Sequence, residues 1–123
     1  VSSLAKAESI LGAAKVCLQA DYYDSAISRA YYAMFWAAIA ALELTGVAKA
    51  GETWSHGGLA STFGLELIKR RRLIPKLMGR RLRDAYALRT EADYKLVRFS
   101  YKQAQRVVNW ASEFIDQVRR LRK

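Results

Sequence analysis

The chain has 123 residues, 52% of them hydrophobic and 26% charged, enough apolar material for one domain with its own core. One cysteine and one histidine exclude an internal disulfide and a zinc site of Cys and His ligands within one chain. The net charge of +10 is lopsided, because residues 1–68 carry net −2 and residues 69–123 net +12, an asymmetry that points to a polyanion or an acidic protein partner.

The elements follow in chain order, and the periodicity is helical nearly throughout. Leu4, Ala7, Leu11, Ala14 and Leu18 recur every three or four residues and share one helix face. Gln19-Ala20-Asp21 breaks the pattern, and Asp21 is placed to cap a second helix. Along that helix Ala26, Ala30, Ala33, Ala37, Ala40 and Leu44 form a narrow stripe of small residues. Tyr31, Phe35, Trp36 and Ile39 line the adjacent faces, so the helix is apolar almost all round. Such a helix belongs at the centre of a bundle or in a subunit interface. Its most apolar run, Ala30 to Leu44, is too short to span a bilayer, and Val1-Ser2-Ser3 opens no signal peptide. A cytoplasmic chain away from membranes is therefore expected.

Gly46 ends the second helix, and residues 47–54 read as a loop containing Gly51. Ser55 caps a third helix over 56–69, despite Gly57-Gly58 at its start. Arg70 to Arg72 form a basic turn, and Pro75 suits the first turn of a fourth helix over 75–94. That helix carries Leu77, Leu82, Ala85, Leu88 and Ala92. A last helix over 97–121 shows Ala104, Val107, Ala111, Phe114, Val118 and Leu121 at alternating spacings of three and four. No alternating β-branched run, repeat or linker interrupts this pattern. Residues 1–123 are read as one all-α domain, an antiparallel up-and-down bundle of about five helices.

Chemistry has few places to sit. Gly57-Gly58 lacks the preceding strand that phosphate-loop fingerprints require, and the carboxylates are scattered. Cys17, between Val16 and Leu18, reads as a packed thiol. Three features stand out. Arg89 and Asp93 are four apart, so their side chains meet on one helix face. Tyr94 lies about 140° round the helix from Arg89 and reaches it only at a fraying helix end or across a subunit interface. Arg29 stands among apolar neighbours, so burial would require a partner, with Asp24, Asp93 or an anion as candidates. His56, at the predicted start of the third helix, is the sole imidazole and the sole neutral-pH proton shuttle. For each feature the plainer reading is structural: a surface ion pair, an internal ion pair and a capping or packing histidine.

Taken together, these residues resemble the HEPN superfamily (the nucleotide-binding domain of higher eukaryotes and prokaryotes) in its small prokaryotic stand-alone branch. The resemblance runs through Ala7-Glu8, Tyr22-Tyr23-Asp24-Ser25-Ala26 and Ser28-Arg29-Ala30-Tyr31-Tyr32-Ala33-Met34-Phe35. It continues through Ser55-His56-Gly57-Gly58, Phe63, Arg89 and Ala92-Asp93-Tyr94. It implies a helical bundle that forms a homodimer. It also implies a small nucleotidyltransferase as protein partner, the pair acting as toxin and antitoxin. Many members are metal-independent ribonucleases, whose signature is an Arg followed after a short spacer by a His in the dimer cleft. Arg89 matches the Arg, but the window for the His holds Tyr94, Lys95 and Leu96. A tyrosine of ordinary pKa, about 10, is a poor base near neutral pH. The leading expectation is therefore a nucleotide- or RNA-binding module, with Arg29, Tyr32, Arg89 and Asp93 as the anion site and no cofactor or metal. The alternative is a ribonuclease using Arg89, Tyr94 and His56. In some members of the family a Tyr near the motif is also nucleotidylated by the partner transferase, a role to which Tyr94 is the candidate.

Overall fold

The computed structural model describes residues 2–122 as five α-helices, with no strand among them. The helices are α1 (Ser3–Gln19), α2 (Tyr23–Leu44), α3 (His56–Phe63), α4 (Lys76–Tyr94) and α5 (Tyr101–Arg119). A π-helical segment, Gly64–Arg70, continues α3, and a short 3-10 turn, Arg120–Arg122, follows α5. The all-α bundle is as expected. α2 is its centre and packs against α1, α4 and α5, with a smaller contact to α3. None of the described helices is long and apolar enough to cross a membrane.

Helix α1 starts at Ser2, whose Oγ accepts the Ala5 N–H at 3.0 Å. Its buried residues are Leu4, Ala7, Leu11, Ala14 and Leu18, the face read from the spacing. Asp21 does not cap α2. It takes a left-handed φ of 66°, which short polar residues tolerate better than most, and its carboxylate accepts the Tyr23 hydroxyl at 3.0 Å. The turn that reverses the chain consumes Asp21, so α2 begins two residues later. Glu8 of the Ala7-Glu8 pair is structural. Arg119 of α5 donates to it at 2.6 and 2.9 Å, tying the two ends of the chain together.

Helix α2 buries seven alanines, with Ile27, Tyr31, Met34, Ile39 and Leu42 between them. Leu44, expected to extend the stripe, is instead exposed. Gly46 stops the helix as read: it takes φ 77°, and the next N–H, from Val47, bonds back to the Leu42 carbonyl at 2.9 Å. Arg29 corrects a larger expectation. It is exposed and makes no ion pair or hydrogen bond among the described residues, with Asp24, Asp93 or any other group. Ala26, Ile27, Ala30 and Tyr31 take the buried faces, and Arg29 falls on the remaining solvent-facing strip with Tyr22 and Ser25.

Ser55 caps α3 through the Gly58 N–H at 3.0 Å, as expected. The single helix read over 56–69 divides, however, into α3 and the wider π segment, which keeps both Phe63 and Leu67 fully buried. Its close neighbour is Gly79 of α4. A Cβ there would stand 2.9 Å from Ile68 Cδ1, so glycine permits the approach. Helix α4 itself packs chiefly on α2. Met78, Gly79, Leu82, Ala85 and Ala92 are buried, and Leu77, read as a core position, is exposed. Helix α5 starts later than the expected residue 97. Ser100 and Gln103 form a reciprocal capping box, at 3.1 and 2.9 Å, that fixes the first turn at Tyr101.

Candidate functional site

The last two turns of α4 meet the middle of α2 and the first residue of α3. Arg89 is the hub. Its Nη2 donates to the Tyr32 hydroxyl at 2.6 Å. Its Nε lies 3.0 Å from Asp93 Oδ2 but is not aligned for a hydrogen bond, so that contact is an ion pair. Asp93 is itself steadied by α2, where the Ser28 hydroxyl donates to Oδ2 at 3.3 Å. Nη1 makes no hydrogen bond among the described residues.

The guanidinium sits among three tyrosine rings. Its carbon is 5.2 Å from the Tyr32 ring centroid, 5.6 Å from Tyr94 and 5.9 Å from Tyr31. Desolvation opposes the charge on Arg89, but Tyr32, Asp93, Tyr94 and Tyr31 outweigh it and raise its pKa, so the cation is permanent. Tyr94 therefore does reach Arg89 within one chain. It does so as the final residue of α4, with 73% of its surface exposed.

His56 joins the same cluster from α3. Its Nδ1 is 3.0 Å from the Tyr31 hydroxyl, and its ring stacks on Tyr86 with centroids 3.7 Å apart and planes 9° apart. Tyr31 in turn packs edge-on against Tyr32 at 5.1 Å. Burial pushes the Tyr31 pKa well above the tyrosine range, so its hydroxyl keeps its proton and can donate to an unprotonated Nδ1. A chain of contacts thus runs from His56 through Tyr31 and Tyr32 to Arg89.

The fold brings together Tyr32, His56, Arg89, Asp93 and Tyr94, and leaves Arg29 out of this hydrogen-bonded set. Two members are absent from the sequence reading. Tyr86 lies three residues before Arg89, one helical turn away, and that spacing was the available signal. Arg83 acts on His56 through its charge and carries no signal in the sequence.

The imidazole yields a direct pH prediction. Burial, and then the charge of Arg83, hold the His56 pKa below its ordinary 6.5. A base whose folded pKa is depressed contributes stability that is whole above the unfolded value and lost as pH falls through the folded one. Because His56 is the chain's one histidine, its ring proton resonances need no assignment. An NMR titration is expected to give a midpoint below 6.5, moving up in Arg83→Gln. Stability on acidification is expected to fall more steeply in the parent than in His56→Gln. A midpoint at or above 6.5 would contradict the buried setting.

The bundle is all-α and built round a long central helix. The HEPN domain family model matches residues 2–121, and the chain belongs to the HEPN family. It is similar to two proteins of Methanocaldococcus jannaschii. “Putative toxin MJ0605” is 32% identical over 117 residues, 95% of this chain and 84% of the relative. “Putative toxin MJ0142” is 37% identical over 89 residues, 72% of this chain and 57% of the relative. A UPF0332 protein of Thermotoga maritima is 28% identical over 117 residues, covering 94% and 85% of the two chains.

Proposed function

We propose that this chain is a toxin-like HEPN module that binds the phosphates of RNA or a nucleotide at the Arg89 cluster. In this reading it works as a homodimer and as the partner of a small nucleotidyltransferase. The observation that carries the binding role is Arg89 itself: a permanent cation fixed on two edges, by Tyr32 and Asp93, with Nη1 left without a protein partner among the described residues. A guanidinium held this way is oriented before the anion arrives. The exposed Tyr94 ring beside it offers a face for a base, and the strongly basic second half of the chain adds long-range attraction. The names of the two Methanocaldococcus relatives support the toxin-like context.

One observation favours a second reading, metal-free RNA cleavage by Arg89, Tyr94 and His56. The imidazole belongs to the same aromatic cluster, and its lowered pKa keeps it neutral, hence able to accept a proton, near pH 7. One experiment separates the two. The protein and its Arg89→Ala variant are incubated with end-labelled RNA in chelator, and RNA and nucleotide binding are measured in parallel. Binding without cleavage, weakened at least ~10-fold in Arg89→Ala, is the expected result, since hydrogen bonds to charged groups are worth about 1.5–3 kcal/mol. Cleavage by the parent and not by the variant would move the assignment to the ribonuclease. Equal binding by both proteins would remove Arg89 from the site. Sedimentation of the same samples tests the dimer, and co-purification with a co-expressed nucleotidyltransferase tests that partner.

A further inference from the structure

A second surface lies at the junction of the π-helical segment and α4. A groove of about 610 Å³ opens there, lined among others by Ile68, Lys69, Arg72, Leu73, Ile74 and Lys76. Its charges are uncommitted. Lys69, Arg72 and Lys76 make no ion pair or hydrogen bond among the described residues, and no carboxylate lines the groove. The adjacent basic residues differ: Glu66 holds Arg70 at 2.8 Å, and Arg71 donates to the Thr45 carbonyl at 2.9 Å.

The backbone here is held, not loose. Arg72 takes a left-handed φ of 52°, a conformation that costs a non-glycine residue about 1–3 kcal/mol. The N–H groups of Leu73 and Ile74 both bond back to the Leu67 carbonyl, at 2.8 and 3.2 Å, and fix the turn. The result keeps Leu73 47% exposed between cations, above a buried Ile74. π-helical segments and strained residues of this kind collect at functional positions.

The lining discriminates between occupants. A nucleic-acid strand would be drawn to the cations but gains little from an aliphatic floor, and no aromatic ring lines the groove for a base to stack on. A protein segment that carries carboxylates around one or two aliphatic side chains satisfies both features at once. We infer that this groove docks an acidic segment of a partner protein, with an aliphatic side chain seated against Leu73 and carboxylates paired with Lys69, Arg72 and Lys76. The surface is separate from the Arg89 cluster, so the inference stands independently of the anion-binding reading.

The test is a selection of a displayed random-peptide library on the folded chain. The variants are Lys69→Glu with Lys76→Glu, Leu73→Ser and Arg89→Ala. All the altered residues except Arg89 are exposed, and circular dichroism verifies that each protein is folded. Enriched peptides are expected to combine Asp or Glu with Leu, Ile or Val. Synthetic copies are expected to bind Arg89→Ala like the parent and to lose at least ~10-fold with either groove variant. No enrichment for acidic residues, or equal binding to the groove variants, overturns the inference. So does a single-stranded RNA oligonucleotide that loses affinity with the charge reversal but not with Leu73→Ser, since a nucleic acid would then be the occupant. A dimer that becomes a monomer on Leu73→Ser would make the occupant a second copy and also overturn it.

Discussion

Replacing Phe114 by alanine is expected to destabilise the protein by about 3–5 kcal/mol, the usual cost of removing a fully buried aromatic side chain from a core that cannot collapse into the gap. Phe114 has no exposed surface, and its ring stacks on that of Phe63, also fully buried, with centroids 5.3 Å apart. The pair joins α5 to α3. Domains of this size have about 5–15 kcal/mol of stability in all, so the variant should be largely unfolded at modest denaturant. A urea titration reads the effect directly. A double-mutant cycle with Phe63→Ala is expected to return a coupling of roughly 0.5–1.5 kcal/mol beyond burial. A loss below about 1 kcal/mol for Phe114→Ala would mean that the two aromatic rings do not form the core contact described.

The opposite error, adding volume, is expected at Ala37→Leu. Ala37 is fully buried on α2, within the row of small residues that lets neighbouring helices approach. The added isopropyl group there has nowhere to go without moving a helix, and overpacking of this kind costs about 1–3 kcal/mol. At roughly 3–6 °C per kcal/mol for a chain of this length, melting should fall by roughly 3–18 °C. Ala87→Leu on the exposed side of α4 is the control and is expected to melt within a few degrees of the parent. Equal melting of Ala37→Leu and the parent would show that the alanine row does not set the helix spacing.

Local signals carried much of this fold. The three-and-four spacing of α1, the glycine after α2, the serine before α3 and the end of α4 at Tyr94 are each decided within a few residues, and each is legible in the sequence. So is the Arg89–Asp93 pair, a matter of spacing alone. What failed depended on longer-range geometry or on competing local signals. The π widening at Gly64–Arg70 accompanies packing on Gly79, a residue that looks ordinary in the sequence. The apolar sequence neighbours of Arg29 suggest enclosure, but on a helix those neighbours point elsewhere. The late start of α5 is written in Ser100 and Gln103, a capping box three residues inside the expected start. Within the candidate site, the link from His56 to Arg89 passes through Tyr31 and Tyr32, and spans three helices. No periodicity could connect residues so far apart along the chain.

The alanine-lined face of α2 has a thermodynamic side. An alanine side chain has no rotamers to lose, so the seven buried on this helix are immobilised at almost no side-chain entropy cost. Each also removes little apolar surface from water, which leaves the favourable hydration term to a few large residues such as Tyr31, Phe63 and Phe114. Order along the alanine face is thus obtained mainly by losing little freedom, and order around the large side chains mainly by dehydration. Because dehydration carries the heat-capacity change of unfolding, the large buried residues should dominate how stability curves with temperature, while the buried alanines add little to that curvature.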